Sequence, residues 1–71
     1  MRKLYFQYSD GSRSYVCDIL ENDLFVSKAL DDLYRRNPNY KSYYQRIWTD
    51  DDGITWIDVG SHSEFYVLKE E

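Results

Sequence analysis

The residues of this chain that could carry out chemistry are few and scattered. His62 is the only histidine of the 71 residues, and Ser61 and Ser63 flank it. A catalytic histidine needs a nucleophile and an orienting carboxylate brought close by the fold, and neighbouring residues on a loop rarely face one another. The three glycines stand apart at turns, so the chain has neither a glycine-rich phosphate loop nor a Gly-x-Ser-x-Gly turn. The sequence therefore predicts no enzymatic activity and no catalytic residue.

Metal-binding side chains are equally sparse. The acidic run Asp50-Asp51-Asp52-Gly53 raises the question of calcium binding, but an EF-hand loop that starts at Asp50 would need a glutamate at its twelfth position, which is Ser61. Cys17 is the only cysteine, so one chain can form neither a disulfide nor a cysteine zinc site. We expect no metal and no cofactor. A small domain without disulfides fits a reducing compartment, so we expect the cytoplasm.

The composition excludes two classes of protein. Hydrophobic residues make up 42% of the chain and aromatic residues 18%, which is too apolar for a disordered segment. Nine basic and 13 acidic residues give a net charge of -4, which disfavours direct binding to nucleic acid or to an anionic membrane. No apolar run approaches the length of a membrane span. The charge is compatible with a partner protein that has a basic surface.

Two Asp-Gly pairs, each between aromatic and β-branched segments, predict two β-hairpins. For the first hairpin we predict a two-residue turn at Asp10-Gly11. This turn sets Phe6 opposite Tyr15 and Leu4 opposite Cys17. Tyr15 then lies on the same face of the sheet as Leu4 and Phe6.

For the second hairpin we predict a three-residue loop that ends at Gly53 in the left-handed conformation. This loop sets Trp48 opposite Trp56 and Ile47 opposite Ile57, whereas a slip by one residue would break the pairing of like with like. One face of the hairpin then carries Ile47, Thr49, Thr55, Ile57 and Val59. The other face carries Tyr44, Arg46, Trp48, Ile54, Trp56 and Asp58.

One helix is predicted between the two hairpins. Its start is placed at Glu21-Asn22-Asp23, which supplies N-cap residues and negative charge, and its end near Asn37, because Pro38 follows. Its apolar stripe consists of Val26, Ala29, Leu30, Leu33 and Tyr34. With a last strand at 65–69, the sequence predicts one α+β domain over residues 1–71. We expect an antiparallel sheet of four to five strands in the order β-β-α-β-β-β, with one helix packed on one face, and the position of the last strand stays open.

The candidate binding site follows from this arrangement. One helix can cover only one face of the sheet, so the opposite face should expose the tryptophans of the second hairpin. Tryptophan and tyrosine are the residues most enriched among interface hot spots, and the carboxylates of the hairpin tip could pair with basic groups of a partner. The predicted partner-binding residues are Tyr44, Trp48, Trp56, Asp50, Asp51, Asp52 and Asp58.

In overall style the chain resembles the small proteins encoded by bacteriophages, and among them the anti-CRISPR inhibitors. The resemblance rests on the Asp50-Asp51-Asp52-Gly53 tip, the acidic helix start at Glu21-Asn22-Asp23, and the tyrosine-rich stretch from Tyr40 to Tyr44. It implies an inhibitor in the host cytoplasm that occupies a basic, nucleic-acid-binding surface of a partner such as a CRISPR effector. It transfers no functional residue to this chain.

Two other functions stay open at this point. The protein could be a structural or assembly protein that self-associates through a sheet edge or through the aromatic face. It could also bind single-stranded nucleic acid by stacking bases on its tyrosines, with Arg35, Arg36, Lys41 and Arg46 as the basic residues.

Overall fold

The structure is a computed structural model that describes all 71 residues, Met1–Glu71. It contains five strands and one helix in the predicted order β-β-α-β-β-β, and the α+β class is confirmed. The elements are β1 (Arg2–Gln7), β2 (Arg13–Ile19), α1 (Phe25–Arg36), β3 (Arg46–Thr49), β4 (Thr55–Asp58) and β5 (Phe65–Glu70). Helix α1 is neither long enough nor apolar enough to cross a membrane.

The five strands form one antiparallel sheet in the order β2-β1-β5-β4-β3. The last strand therefore pairs with both hairpins and occupies the centre of the sheet. Its central position agrees with its composition, because Tyr66, Val67 and Leu68 are buried although they point alternately to opposite faces. A central strand has a neighbour on each side, and on the face without the helix Val67 lies between Tyr5 and Trp56 of those neighbours.

The register of the second hairpin is confirmed. Trp48 lies opposite Trp56, and Ile47 lies opposite Ile57. The amide of Asp50 donates to the carbonyl of Ile54 at 2.9 Å, which closes the three-residue loop. Gly53 ends this loop with a φ of 81°, a left-handed value that favours glycine.

The predicted register of the first hairpin is wrong over half of its length. The amide of Tyr8 donates to the carbonyl of Ser12 at 2.8 Å, so this hairpin also has a three-residue loop. A bulge between the pairs Leu4–Cys17 and Tyr5–Tyr15 compensates for the extra residue. Leu4 therefore faces Cys17 as predicted, but Tyr15 lies opposite Tyr5 on the other side of the sheet.

Helix α1 begins later than the acidic start predicted for it. The Asp23 carboxylate accepts a hydrogen bond from the amide of Leu20 at 2.8 Å and so closes a turn before the helix. The N-cap position is Leu24, which makes no side-chain capping bond. The end of the helix is as predicted, because the amide of Asn37 donates to the carbonyl of Leu33 and Pro38 follows.

The hydrophobic core lies between α1 and one face of the sheet, which we call the helix-covered face. Ala29 and Leu33 of the helix pack in one cluster with apolar side chains of the strands. The strand residues of this cluster are Leu4, Phe6, Ile19, Ile57, Tyr66 and Leu68. Fully burying each large apolar side chain stabilises the fold by about 1.5–3 kcal/mol. The opposite face has no helix over it, and we call it the open face.

One acidic residue lies inside this core. Asp32 of α1 is buried, although the helical pattern placed it outside the apolar stripe. Its carboxylate accepts hydrogen bonds from the hydroxyl of Tyr66, at 2.6 Å, and from the guanidinium of Arg36. These bonds satisfy the buried charge, which would otherwise be costly.

Candidate functional site

The open face carries a line of large side chains that crosses every strand of the sheet. Side chains directly opposite one another on neighbouring strands lie on the same face. The strand registers therefore bring five residues into one line, which we call the aromatic row. In sheet order the aromatic row consists of Tyr15, Tyr5, Val67, Trp56 and Trp48.

The β3–β4 end of this row forms a packed group of three rings, which we call the Trp cluster. The rings of Trp48 and Trp56 are nearly parallel, with an interplanar angle of 5° and centroids 6.2 Å apart. Phe65 packs edge-on against both of them, at 6.1 Å and 5.7 Å. Because each ring contacts the other two, the cluster is held in place before any partner binds. Trp48 nevertheless remains 40% exposed.

Asp50 fixes the Trp cluster to the tip of the hairpin. Its carboxylate accepts a hydrogen bond from Nε1 of Trp56 at 2.8 Å, and from the amides of Asp52 and Ile54 at 2.9 and 3.0 Å. These three bonds, the Trp56 bond foremost, hold the pKa of Asp50 below its ordinary value. A carboxylate has about four acceptor positions, so these bonds leave Asp50 about one position for a further donor.

The remaining acidic candidates divide into exposed and buried ones. Asp51 and Asp52 are exposed at the hairpin tip. Asp58 is only 3% exposed and accepts a hydrogen bond from the amide of Gly60 at 2.8 Å, with Nδ1 of His62 at 3.4 Å. Tyr44 lies in the connection before β3 and is half exposed. The hairpin tip thus presents two of the four predicted carboxylates to solvent.

Four cationic side chains lie over the rings of the open face. Of these, only Arg46 was predicted on this face from the sequence. Arg13 lies 5.7 Å from the Trp56 ring and Arg46 lies 5.9 Å from the Trp48 ring. Lys3 and Lys69 lie over Tyr15 and Tyr5, each at 5.9 Å. None of the four belongs to the two ion pairs of the chain, which are Met1–Glu70 and Arg36–Asp32. The open face therefore combines aromatic rings with cations that have no carboxylate partner.

The two tyrosines of the row are fixed by carboxylates at its β1–β2 end. The Tyr15 hydroxyl donates to Asp18 at 2.6 Å, and this bond, with a smaller effect of burial, raises the pKa of Tyr15 to about 12. The Tyr5 hydroxyl donates to Glu71, which likewise raises the pKa of Tyr5. Both phenols are therefore protonated near neutral pH and contribute no charge to the open face.

Ser61 and Cys17 are the candidate nucleophiles considered with His62. The hydroxyl of Ser61 donates to the carbonyl of Glu64 at 2.7 Å and closes a turn, so it is not directed at His62. Burial raises the pKa of the Cys17 thiol, which disfavours the reactive thiolate. No group of three or more histidine, cysteine or acidic side chains is placed to hold a metal ion.

Comparison of the chain with protein-family models, with curated proteins and with solved structures finds no match.

Proposed function

We propose that the protein is a non-enzymatic protein-binding module, a small acidic inhibitor that covers a basic surface of its partner. The observation that carries this proposal is the Trp cluster, a pre-ordered aromatic group that exposes Trp48 next to an exposed acidic tip. The style of the chain favours a nucleic-acid-binding surface of a CRISPR effector as the target, and the host cytoplasm as the location.

The Trp cluster has the physical properties of an interface anchor. Hot spots are rich in tryptophan, tyrosine and arginine, and they work best where ordering the side chain costs little on binding. Here the Trp56 indole is hydrogen-bonded to Asp50 and the Trp48 ring is parallel to it. A partner that covers Trp48 would therefore bury a large ring without having to immobilise it first.

The exposed carboxylates of the hairpin tip give the proposed interface its charge. Asp51 and Asp52 make no side-chain hydrogen bond or ion pair within the chain, so both are available to arginine or lysine of a partner. Asp50 and Asp58 act indirectly in this proposal, because the first orders the tip and the second orders the loop after β4.

A second candidate is single-stranded nucleic acid, and one observation favours it. Aromatic rings accompanied by cations are the usual surface for stacking bases and neutralising phosphates. Lys3, Arg13, Arg46 and Lys69 all lie over rings of the open face. The net charge of -4 opposes this candidate, so we place it second.

The proposal is tested by capturing the partner with matched charge variants. Immobilised wild-type protein, an Asp51→Lys variant and an Asp31→Lys variant, which make the same charge change at two places, are incubated with bacterial lysate that contains a CRISPR effector. Asp31 is exposed on α1, away from the tip, and serves as the charge-change control. We expect a protein that binds the wild type and Asp31→Lys but not the tip variant. Equal capture by all three would refute the role of the tip.

The nucleic-acid candidate is tested in parallel with a fluorescent single-stranded oligonucleotide. If the four cations contact phosphates, the logarithm of the binding constant falls with the logarithm of the salt concentration with a slope of about -3. Saturable binding with this slope, and no captured protein, would favour the second candidate over the first.

A further inference from the structure

Strand β3 forms a free edge of the sheet. All four of its residues are exposed, and Ile47 is 48% exposed although it lies on the helix-covered face. In an antiparallel ladder, successive residues direct their backbone groups alternately to one neighbour and to the other. The amide of Asp50 points toward the neighbouring chain segment after the loop, because it donates to Ile54, and the backbone groups of Trp48 and Arg46 therefore point toward β4 as well. The backbone groups of Ile47 and Thr49 therefore point away from β4.

The two edges of the sheet differ in how open they are to pairing. Strand β2, at the far edge, carries a bulge at Val16, and bulges are a common protection against edge-to-edge association. Strand β3 has a regular register with β4 and contains neither a bulge nor a proline. Of the two edges, β3 is the one suited to accept another strand.

We propose that β3 pairs with β3 of a second copy of this chain, antiparallel and about a two-fold axis normal to the sheet. Ile47 of each copy lies opposite Thr49 of the other copy. Each of these two pairs exchanges two backbone hydrogen bonds. Trp48 then lies opposite Trp48 of the second copy on the open face. The product is a ten-stranded sheet with both helices on the same side.

Three registers would pair the outward-facing residues Ile47 and Thr49 with one another across the two copies. The charges of Arg46 and Asp50 favour the one proposed. In this register Arg46 lies opposite Asp50 of the second copy. Arg46 has no carboxylate partner in its own chain, and the carboxylate of Asp50 has about one acceptor position left after its three hydrogen bonds. Pairing Ile47 with Ile47 would set Arg46 against Trp48, and pairing Thr49 with Thr49 would set Trp48 against Asp50. The self-complementary charges thus favour a second copy as the occupant of this edge.

The dimer goes beyond the proposed function and does not depend on it. The two-fold axis keeps both open faces on one side, so the two aromatic rows join end to end through the Trp48 pair. The Asp51 and Asp52 side chains lie beyond the paired residues and stay accessible in the dimer. Dimerisation is measured on the purified protein alone, so its failure would leave the proposed partner binding untouched.

Sedimentation equilibrium on the purified protein tests the dimer. The interface is small, so we expect a dissociation constant on the order of 100 µM and a monomer–dimer equilibrium between about 10 µM and 1 mM. Arg46→Glu replaces both proposed ion pairs by repulsions and should weaken the dimer about tenfold or more. Arg35→Glu makes the same charge change on the exposed side of α1 and should leave the dimer unchanged. A monomeric wild type at about 1 mM, or equal effects of the two variants, would overturn the proposal.

Cysteine cross-linking tests the register without depending on affinity. In a Cys17→Ser background, Trp48→Cys places two thiols directly opposite each other across the two-fold axis, where a disulfide can form. Ile47→Cys places its thiol opposite Thr49 of the second copy, so it should not cross-link. Efficient cross-linking of Ile47→Cys with none from Trp48→Cys would show that this register is wrong.

Discussion

Replacing Tyr66 by phenylalanine removes one hydroxyl from the most enclosed part of the structure. Tyr66 is 0% exposed, and its hydroxyl donates to the buried carboxylate of Asp32 at 2.6 Å. The edge-on contact between the Phe6 and Tyr66 rings, with centroids 5.1 Å apart, can persist in the variant. The substitution therefore isolates one hydrogen bond to a charged, buried acceptor.

Hydrogen bonds to charged groups contribute about 1.5–3 kcal/mol, and leaving a buried acceptor with one partner fewer costs a similar amount. Asp32 keeps the Arg36 guanidinium in the variant, so we expect a loss of about 2 kcal/mol in the free energy of unfolding. For a domain of this size, that corresponds to a Tm lower by about 8–16 °C.

Urea unfolding followed by circular dichroism measures this loss. With a urea m value of about 1 kcal/mol per M, the midpoint should fall by about 2 M. Tyr43→Phe removes a hydroxyl from an exposed position and serves as the control, with an expected change within about 0.5 kcal/mol. Equal midpoints for the two variants would refute the view that the Tyr66–Asp32 bond stabilises the core.

Three further results are expected. Trp48→Ala should weaken partner binding by up to about 2.5 kcal/mol, which is roughly 60-fold in the dissociation constant measured by titration calorimetry. The exposed 40% of the Trp48 side chain is about 100 Å² of ring surface, and burying it contributes about 25 cal/mol per Å². Gly53→Ala should lower stability by about 1 kcal/mol in urea unfolding, since a φ of 81° strains any other residue although space is free around it. The free energy of unfolding should fall as the pH rises above about 10. The folded state raises the pKa of Tyr66 and Tyr15 and so keeps them neutral, whereas the tyrosines of the unfolded chain ionise near pH 10. A free energy of unfolding that stays constant from pH 9 to 11 would contradict this.

The second hairpin could be predicted from the sequence because its signals are local. Gly53 marks the end of the loop. With that loop, the aromatic residues of the two strands face one another, and so do the β-branched residues. The first hairpin has the same Asp-Gly pair, yet Asp10 accepts hydrogen bonds from the amide and hydroxyl of Ser12 and so supports a longer loop. A bulge at Val16 then restores the register. The three-residue loop did have a sequence signal, because Gly11 ends it with a φ of 91°, just as Gly53 ends the second loop. The bulge has no sequence pattern of its own.

The cations of the open face could not be predicted because they depend on long-range pairing. Lys3 and Lys69 share this face only because β1 pairs with β5, which follows it by more than fifty residues. Arg13 reaches the Trp56 ring from the far edge strand. The burial of Asp32 has the same origin, since its partner Tyr66 comes from the last strand. Only the apolar run at 65–68 could have indicated that β5 is central.

The most direct test of the open face as the binding surface is chemical-shift mapping of the isotope-labelled protein with its captured partner. If the open face binds the partner, the indole N–H signals of Trp48 and Trp56 and the amide signals of β3, β4 and the hairpin tip change on binding. Changes confined to α1, with both indole signals unaffected, would contradict this role of the open face.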